Sequence, residues 1–97
     1  MNKKLTDENI DNLFRAILKL ESLEECRCFF EDLCTISELQ SMGQRFEVAL
    51  MLDENKIYTD ISAKTGASTA TISRVNRSLN YGSDGYRMVI ERLKKDE

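Results

Sequence analysis

The 97-residue chain has no histidine, no proline and only four glycines. Without histidine, and with no second cysteine pair beside Cys26, Cys28 and Cys34, a tetrahedral zinc site cannot be completed, so no metal is expected. No cysteine stands next to a plausible base, and no glycine loop could cradle a phosphate. Carboxylates are plentiful but sit on helix faces where solvated charge is the default. The chain is therefore not expected to be an enzyme, to have a catalytic residue or to need a cofactor. No apolar run approaches the length of a bilayer span, and Met1-Asn2-Lys3-Lys4 is not followed by the apolar core of a signal peptide. A cytoplasmic protein without membrane contact is expected. Three cysteines without a secretion signal argue against a disulfide framework. Cys26 and Cys34 share a helical face with Phe29, Phe30 and Leu33, which reads as small buried apolar packing.

The net charge of −3 is unevenly distributed. Residues 1–55 carry six basic and twelve acidic side chains, whereas residues 56–97 carry eight basic and five acidic ones. Phosphate binding requires local Lys and Arg, not a basic whole, so the C-terminal part can serve as a nucleic-acid face.

The periodicity predicts an all-α single domain over 1–97 with about six helices joined by short turns. Ile10, Leu13, Phe14, Ile17 and Leu18 form one face of a first helix from about Thr6 to Leu20. Ser22 and Glu25 form a capping box for a second helix that buries Leu23, Cys26, Phe29, Phe30 and Leu33. Thr35 and Glu38 repeat the pattern ahead of a third helix that runs to about Glu54 and buries Leu39, Met42, Phe46, Ala49 and Leu50. Gly43 within it marks either a close helix approach or a tolerated cost. A last helix from about Asp84 to Lys95 has Tyr86, Val89, Ile90 and Leu93 on one face.

Residues 58–78 have the composition of a helix-turn-helix. Ile61 is the buried residue of a short first helix, and Ser62 is small where two helices meet. Gly66 can take the left-handed conformation that ends that helix, Ala67 fills the turn, and Ser68 is an N-cap for the second helix. Ile72, Val75 and Leu79 recur at i, i+3 and i+7 and pack inward. The DNA-contacting set expected from this layout is Lys64, Ser68, Thr69, Ala70, Thr71, Ser73, Arg74 and Arg77, with Lys56 as a further backbone anchor. Hydroxyls and an alanine methyl suit base edges, arginine suits guanine or phosphate, and base contacts concentrate in the first turn of the recognition helix. The alternative is a helix-turn-helix-shaped module that binds a protein partner without specific DNA recognition.

The stretch from Thr35 to Arg45 (Thr-Ile-Ser-Glu-Leu-Gln-Ser-Met-Gly-Gln-Arg), then Gly66 to Arg74 and Ser78-Leu79, resembles the Trp repressor superfamily, in particular its YerC/YecD-type branch. The likeness extends over roughly Glu24 to Leu93. It implies an intertwined all-helical homodimer that binds double-stranded DNA as a sequence-specific repressor. It also implies an effector pocket, because Arg45 and Arg74 match the two arginines that flank tryptophan in the Trp repressor and Thr35 matches a further pocket position. An arginine pair suits a flat, anionic small molecule. Val75, however, stands where the tryptophan-binding repressor has glycine, and a β-branched side chain there takes room the indole needs, which argues against tryptophan itself. A structural or DNA-contacting use of Arg45 and Arg74 stays open.

Overall fold

The computed structural model describes residues 7–96; Met1–Lys4 and Thr6, the expected start of the first helix, lie outside the described residues. Six helices and no strands are found among those residues: α1 (Glu8–Ile17), α2 (Leu23–Leu33), α3 (Ile36–Asp53), α4 (Tyr58–Thr65), α5 (Thr69–Tyr81) and α6 (Gly85–Lys95). The chain divides after Ile36 into two compact units, one holding α1 and α2, the other running from Ser37 through α6.

The helix limits follow from local chemistry. Asp7 caps α1 by accepting the Asn9 N–H at 2.7 Å. The expected first helix is shortened at its far end, because Leu18 and Lys19 already form a turn. Ser22 caps α2 by accepting the Glu25 N–H at 3.1 Å. The reciprocal half of that box is displaced: the Glu25 carboxylate accepts from the N–H of Glu21, at 2.8 Å, instead of from Ser22 itself. Phe29 and Phe30 meet edge to face, with ring centroids 5.7 Å apart.

Neither α1 nor α2 contains a fully buried residue. Leu18 is 81% exposed and Leu23 67%, and Leu33 is also exposed, which corrects the expectation that α2 covers its leucines. Cys26 and Cys34 are only half-buried and Cys28 is exposed, all three with free thiols, so the reading of the cysteines as buried packing is corrected as well. Cys34 is the C-cap of α2 and not part of its face. Helices of ten and eleven residues are marginal alone in water, and their stability comes from covering an apolar face.

The second unit has a true core. Val48, Ala49 and Met51 of α3 meet Ile61 of α4, Ala67 of the turn, Ile72, Val75 and Leu79 of α5, and Ile90 of α6, each 7% exposed or less. Only the C-terminal half of α3 contributes fully buried residues. Met42 is exposed, and Leu39, Phe46 and Leu50 are half-buried, so the predicted stripe holds in full only at Ala49. A Cβ on Gly43 would have no atom within 4 Å, so no close helix approach is found there among the described residues. On α6 only Ile90 is buried, while Val89 and Leu93 remain exposed.

Asp53 ties the end of α3 to α6. Its carboxylate, 14% exposed, accepts from Arg87 at 3.2 Å and from Lys94 at 2.5 Å. Arg87 also donates to Asn80 Oδ1 at 2.8 Å, which connects the same charge to the last turns of α5. Gly82 ends α5, and a Cβ there would lie 2.4 Å from the Ser78 carbonyl oxygen, so any side chain would displace backbone.

Candidate nucleic-acid interface

The α4–α5 pair is built around a turn of three residues, 66–68, in which the N–H groups of Gly66 and Ala67 and the carbonyls of Ala67 and Ser68 are hydrogen-bonded. Gly66, at φ 76°, closes α4 by donating its N–H to the Ser62 carbonyl at 2.9 Å. The left-handed conformation is one that a residue with a Cβ enters at a cost. Ser62 donates its hydroxyl to the Ala67 carbonyl at 2.9 Å. Thr65 donates to the Ile61 carbonyl at 2.7 Å and accepts the Ala67 N–H at 3.1 Å. From α3, Gln44 Nε2 donates to the Thr65 carbonyl at 3.1 Å. With Ala67 at 2% exposure beneath, the angle at which α5 leaves the turn is held by five hydrogen bonds and one buried methyl group.

Ser68 then caps α5. Its Oγ accepts the Thr71 N–H at 3.1 Å and donates to Thr71 Oγ1, also at 3.1 Å. Replacing an N-cap serine by alanine typically costs about 1 kcal/mol. Ser68→Ala should therefore lower the stability of the protein by about that amount in urea unfolding followed by circular dichroism.

The expected DNA-contacting residues lie in the last turn of α4, at the N-cap of α5 and along α5. Ile72, Val75 and Leu79 bury one stripe of α5, and Thr69, Ala70, Ser73, Arg74 and Arg77 are all exposed on the remainder. None of these five side chains has a hydrogen-bond or ion-pair partner among the described residues. Thr71 is half-buried and engaged with Ser68. Lys64, in the last turn of α4, stands 4.0 Å from Glu47 of α3. Lys64 is 68% exposed and Glu47 43%, so the pair contributes little and a phosphate can displace it. Lys56 is exposed just ahead of α4.

The electrostatics of the stretch differ from those of the chain. From Ile61 to Ser83 there is no Asp or Glu, while Lys64, Arg74 and Arg77 give a local charge of +3. This acid-free run could have been read in the sequence but is hidden by the net charge of −3.

Of the expected effector residues, Arg45 is exposed on α3 and Arg74 on α5, and neither has a polar partner among the described residues; Thr35 is exposed immediately before α3. Val75 is 2% exposed, so its isopropyl group is committed to the core. A cleft of about 640 Å³ opens elsewhere, at the end of α5, between Phe46, Ser78, Gly82, Tyr86 and Met88; none of Thr35, Arg45 and Arg74 lines it. No group of three or more side chains able to hold a metal ion occurs among the described residues. None of the described helices is long and apolar enough to cross a membrane. Sequence reasoning missed Gln44, Asp53 and Arg87, whose roles depend on partners more than twenty residues away.

Among the described residues, six helices, a hydrogen-bonded helix-turn-helix and an acid-free outer face on its second helix define a small all-helical helix-turn-helix protein. The chain belongs to the Trp repressor family: the family model for the Trp repressor protein matches residues 8–94. It is 57% identical over 94 residues to the uncharacterized protein YerC of Bacillus subtilis (strain 168), covering 97% of this chain and 90% of that one. A TrpR-like protein from Eubacterium eligens superposes with a TM-score of 0.93 at 62% identity, over 96% of each chain. A candidate Trp repressor from Staphylococcus aureus gives 0.91 at 51% identity, over 95% of this chain and 92% of that one.

Proposed function

We propose that the chain is a sequence-specific DNA-binding transcriptional repressor, acting in the cytoplasm as a single-domain subunit of a homodimer and reading a two-fold operator with α5 of each subunit. One observation carries the reading. The outer face of α5 presents Thr69, Ala70, Ser73, Arg74 and Arg77 with no internal partner and no acidic neighbour along the chain from Ile61 to Ser83. Such a face is well matched to phosphates and base edges.

In this reading Thr69, Ala70 and Ser73 lie nearest the bases, Arg74 and Arg77 hold guanine edges or phosphates, and Lys64 anchors to the backbone. Ser68 and Thr71 fix the first turn, and the Thr71 hydroxyl proton would donate to a phosphate oxygen. The dimer is supported by the uncovered apolar faces of α1 and α2. A two-fold pair of recognition helices would fit half-sites about one helical turn apart. Thr35, Arg45 and Arg74 would receive a small anionic effector, with the buried Val75 disfavouring tryptophan.

Selection of bound duplexes from a random pool, followed by fluorescence anisotropy of the winners, tests the proposal. The expected outcome is an enriched two-fold sequence bound with a dissociation constant of about 10⁻⁸ M or tighter at physiological salt, weakening steeply as salt rises. If no sequence is enriched, and binding at low salt is no stronger than that of an acidic control protein, the proposal is wrong and the helix-turn-helix serves a protein partner instead.

A further inference from the structure

We infer that the first turn of α5 recognises thymine C5-methyl groups, with Ala70 Cβ and Thr69 Cγ2 packing against them on the floor of the major groove; the inference rests on the DNA-binding reading above.

The argument begins from what the first turn can offer. At about 100° per residue, Ile72, Val75 and Leu79 define the buried side of α5, and Ala70 and Arg77 fall on the line directly opposite. Ala70 therefore occupies the centre of the outer face at its N-terminal end, and Arg77 follows about 10 Å further along the axis. A side chain as short as alanine at the point of nearest approach lets the helix backbone come close to the bases. What then meets the base edges is a methyl group.

The neighbouring side chains add little that could distinguish bases by hydrogen bonding. Ser68 and half-buried Thr71 bond each other: the Ser68 proton goes to Thr71 Oγ1, and Ser68 Oγ takes the Thr71 N–H, so Thr71 keeps one rotatable hydroxyl proton that by itself distinguishes no base pair. Thr69 and Ser73 each have one free hydroxyl, which rotates and both donates and accepts, so alone it suits any of the four base pairs. No Asn, Gln, Arg or Lys, the residues that make bidentate contacts, occurs from Ser68 to Ser73. The group in the major groove that an apolar methyl can recognise, and that only one base carries, is the thymine C5-methyl. Ala70 at the centre of the outer face and Thr69 on its flank, about 100° round the helix, supply two such methyl groups, both exposed. Selectivity under the first turn is thus apolar, and the bidentate chemistry begins one turn later with Arg74 and Arg77.

The test uses the full-length protein and its selected duplex, with each thymine under the first turn replaced singly by deoxyuridine. That change deletes one methyl group and keeps every hydrogen-bonding edge. Loss of one buried methyl contact corresponds to about four-fold weaker binding, and to about sixteen-fold when the change is made in both half-sites. Thr69→Ser keeps the hydroxyl and removes one protein methyl; combined with Ala70→Gly it removes both. The thymine-to-uracil affinity ratio should fall toward one in the double variant, and in part in Thr69→Ser alone. Because the ratio is taken within each variant, a general loss of affinity or stability does not disturb it. A ratio near one at every such thymine in the unaltered protein overturns the inference and leaves the DNA-binding proposal standing. A ratio unchanged by Thr69→Ser and by the double variant also overturns it. Failure to enrich any sequence overturns both.

Discussion

Replacing Arg74 and Arg77 together by alanine should abolish retention of operator DNA at physiological salt while leaving the folded protein intact. Each arginine is exposed, and neither holds another part of the protomer. Exposed substitutions away from special features change stability by about 0.5 kcal/mol at most, and alanine is the stronger helix former, so the thermal melt should not move. A well-placed arginine contributes about 1–3 kcal/mol to recognition. A dimer loses four of them, and even the lower bound gives about a thousand-fold weaker binding. Salt dependence adds a second readout. If all four hold phosphates, the slope of log affinity against log salt becomes shallower by about four, and by less if they read guanine. Anisotropy over a salt series measures both quantities at once. An unchanged affinity with an unchanged melt would remove α5 as the DNA-reading element.

This separation of folding from binding was largely legible in the sequence, because it depends on short-range rules. Ile72, Val75 and Leu79 bury themselves at the spacing of one helical face. Gly66 takes the positive φ that ends α4, and Ser68 caps the next helix, all within a few residues of one another. What the sequence did not disclose is long-range. Gln44 reaches a carbonyl twenty-one positions away, and Asp53 meets Arg87 thirty-four positions away. No local periodicity marks either. The capping box at Ser22 was readable in kind but not in detail, since a carboxylate that can reach two neighbouring N–H groups chooses by side-chain torsion. The apolar faces of α1, α2 and the first half of α3 were also readable as faces. Their missing cover was not, because a pattern of leucines does not state whether the covering surface comes from the same chain or another.

That missing cover leads to the second large effect: exchanging Leu18 and Leu23 for glutamate should convert a dimer into a monomer. These are the two most exposed large apolar side chains of α1, α2 and their caps. Full burial of a leucine is worth about 1.5–3 kcal/mol, and a two-fold interface counts each change twice. Four lost leucines, each replaced by a charge that must stay solvated, therefore amount to at least about 6 kcal/mol, or more than four orders of magnitude in the dimer dissociation constant. Sedimentation equilibrium at micromolar concentration should show the unaltered protein as a dimer and the double variant as a monomer. The consequence for DNA follows from geometry. A monomer presents one recognition helix and engages one half-site, so it forfeits the gain from holding the second half-site at high effective concentration. Operator affinity should collapse even though α4, α5 and their hydrogen-bonded turn lie outside the altered unit. If the variant stays dimeric and still binds, these apolar faces do not form the subunit interface. If the unaltered protein sediments as a monomer yet binds a two-fold operator tightly, the coupling between interlocked N-terminal helices and paired recognition helices is wrong. In the proposed dimer, the chain's acidic half and its basic half have distinct tasks: the first joins the subunits, and the second meets the phosphates.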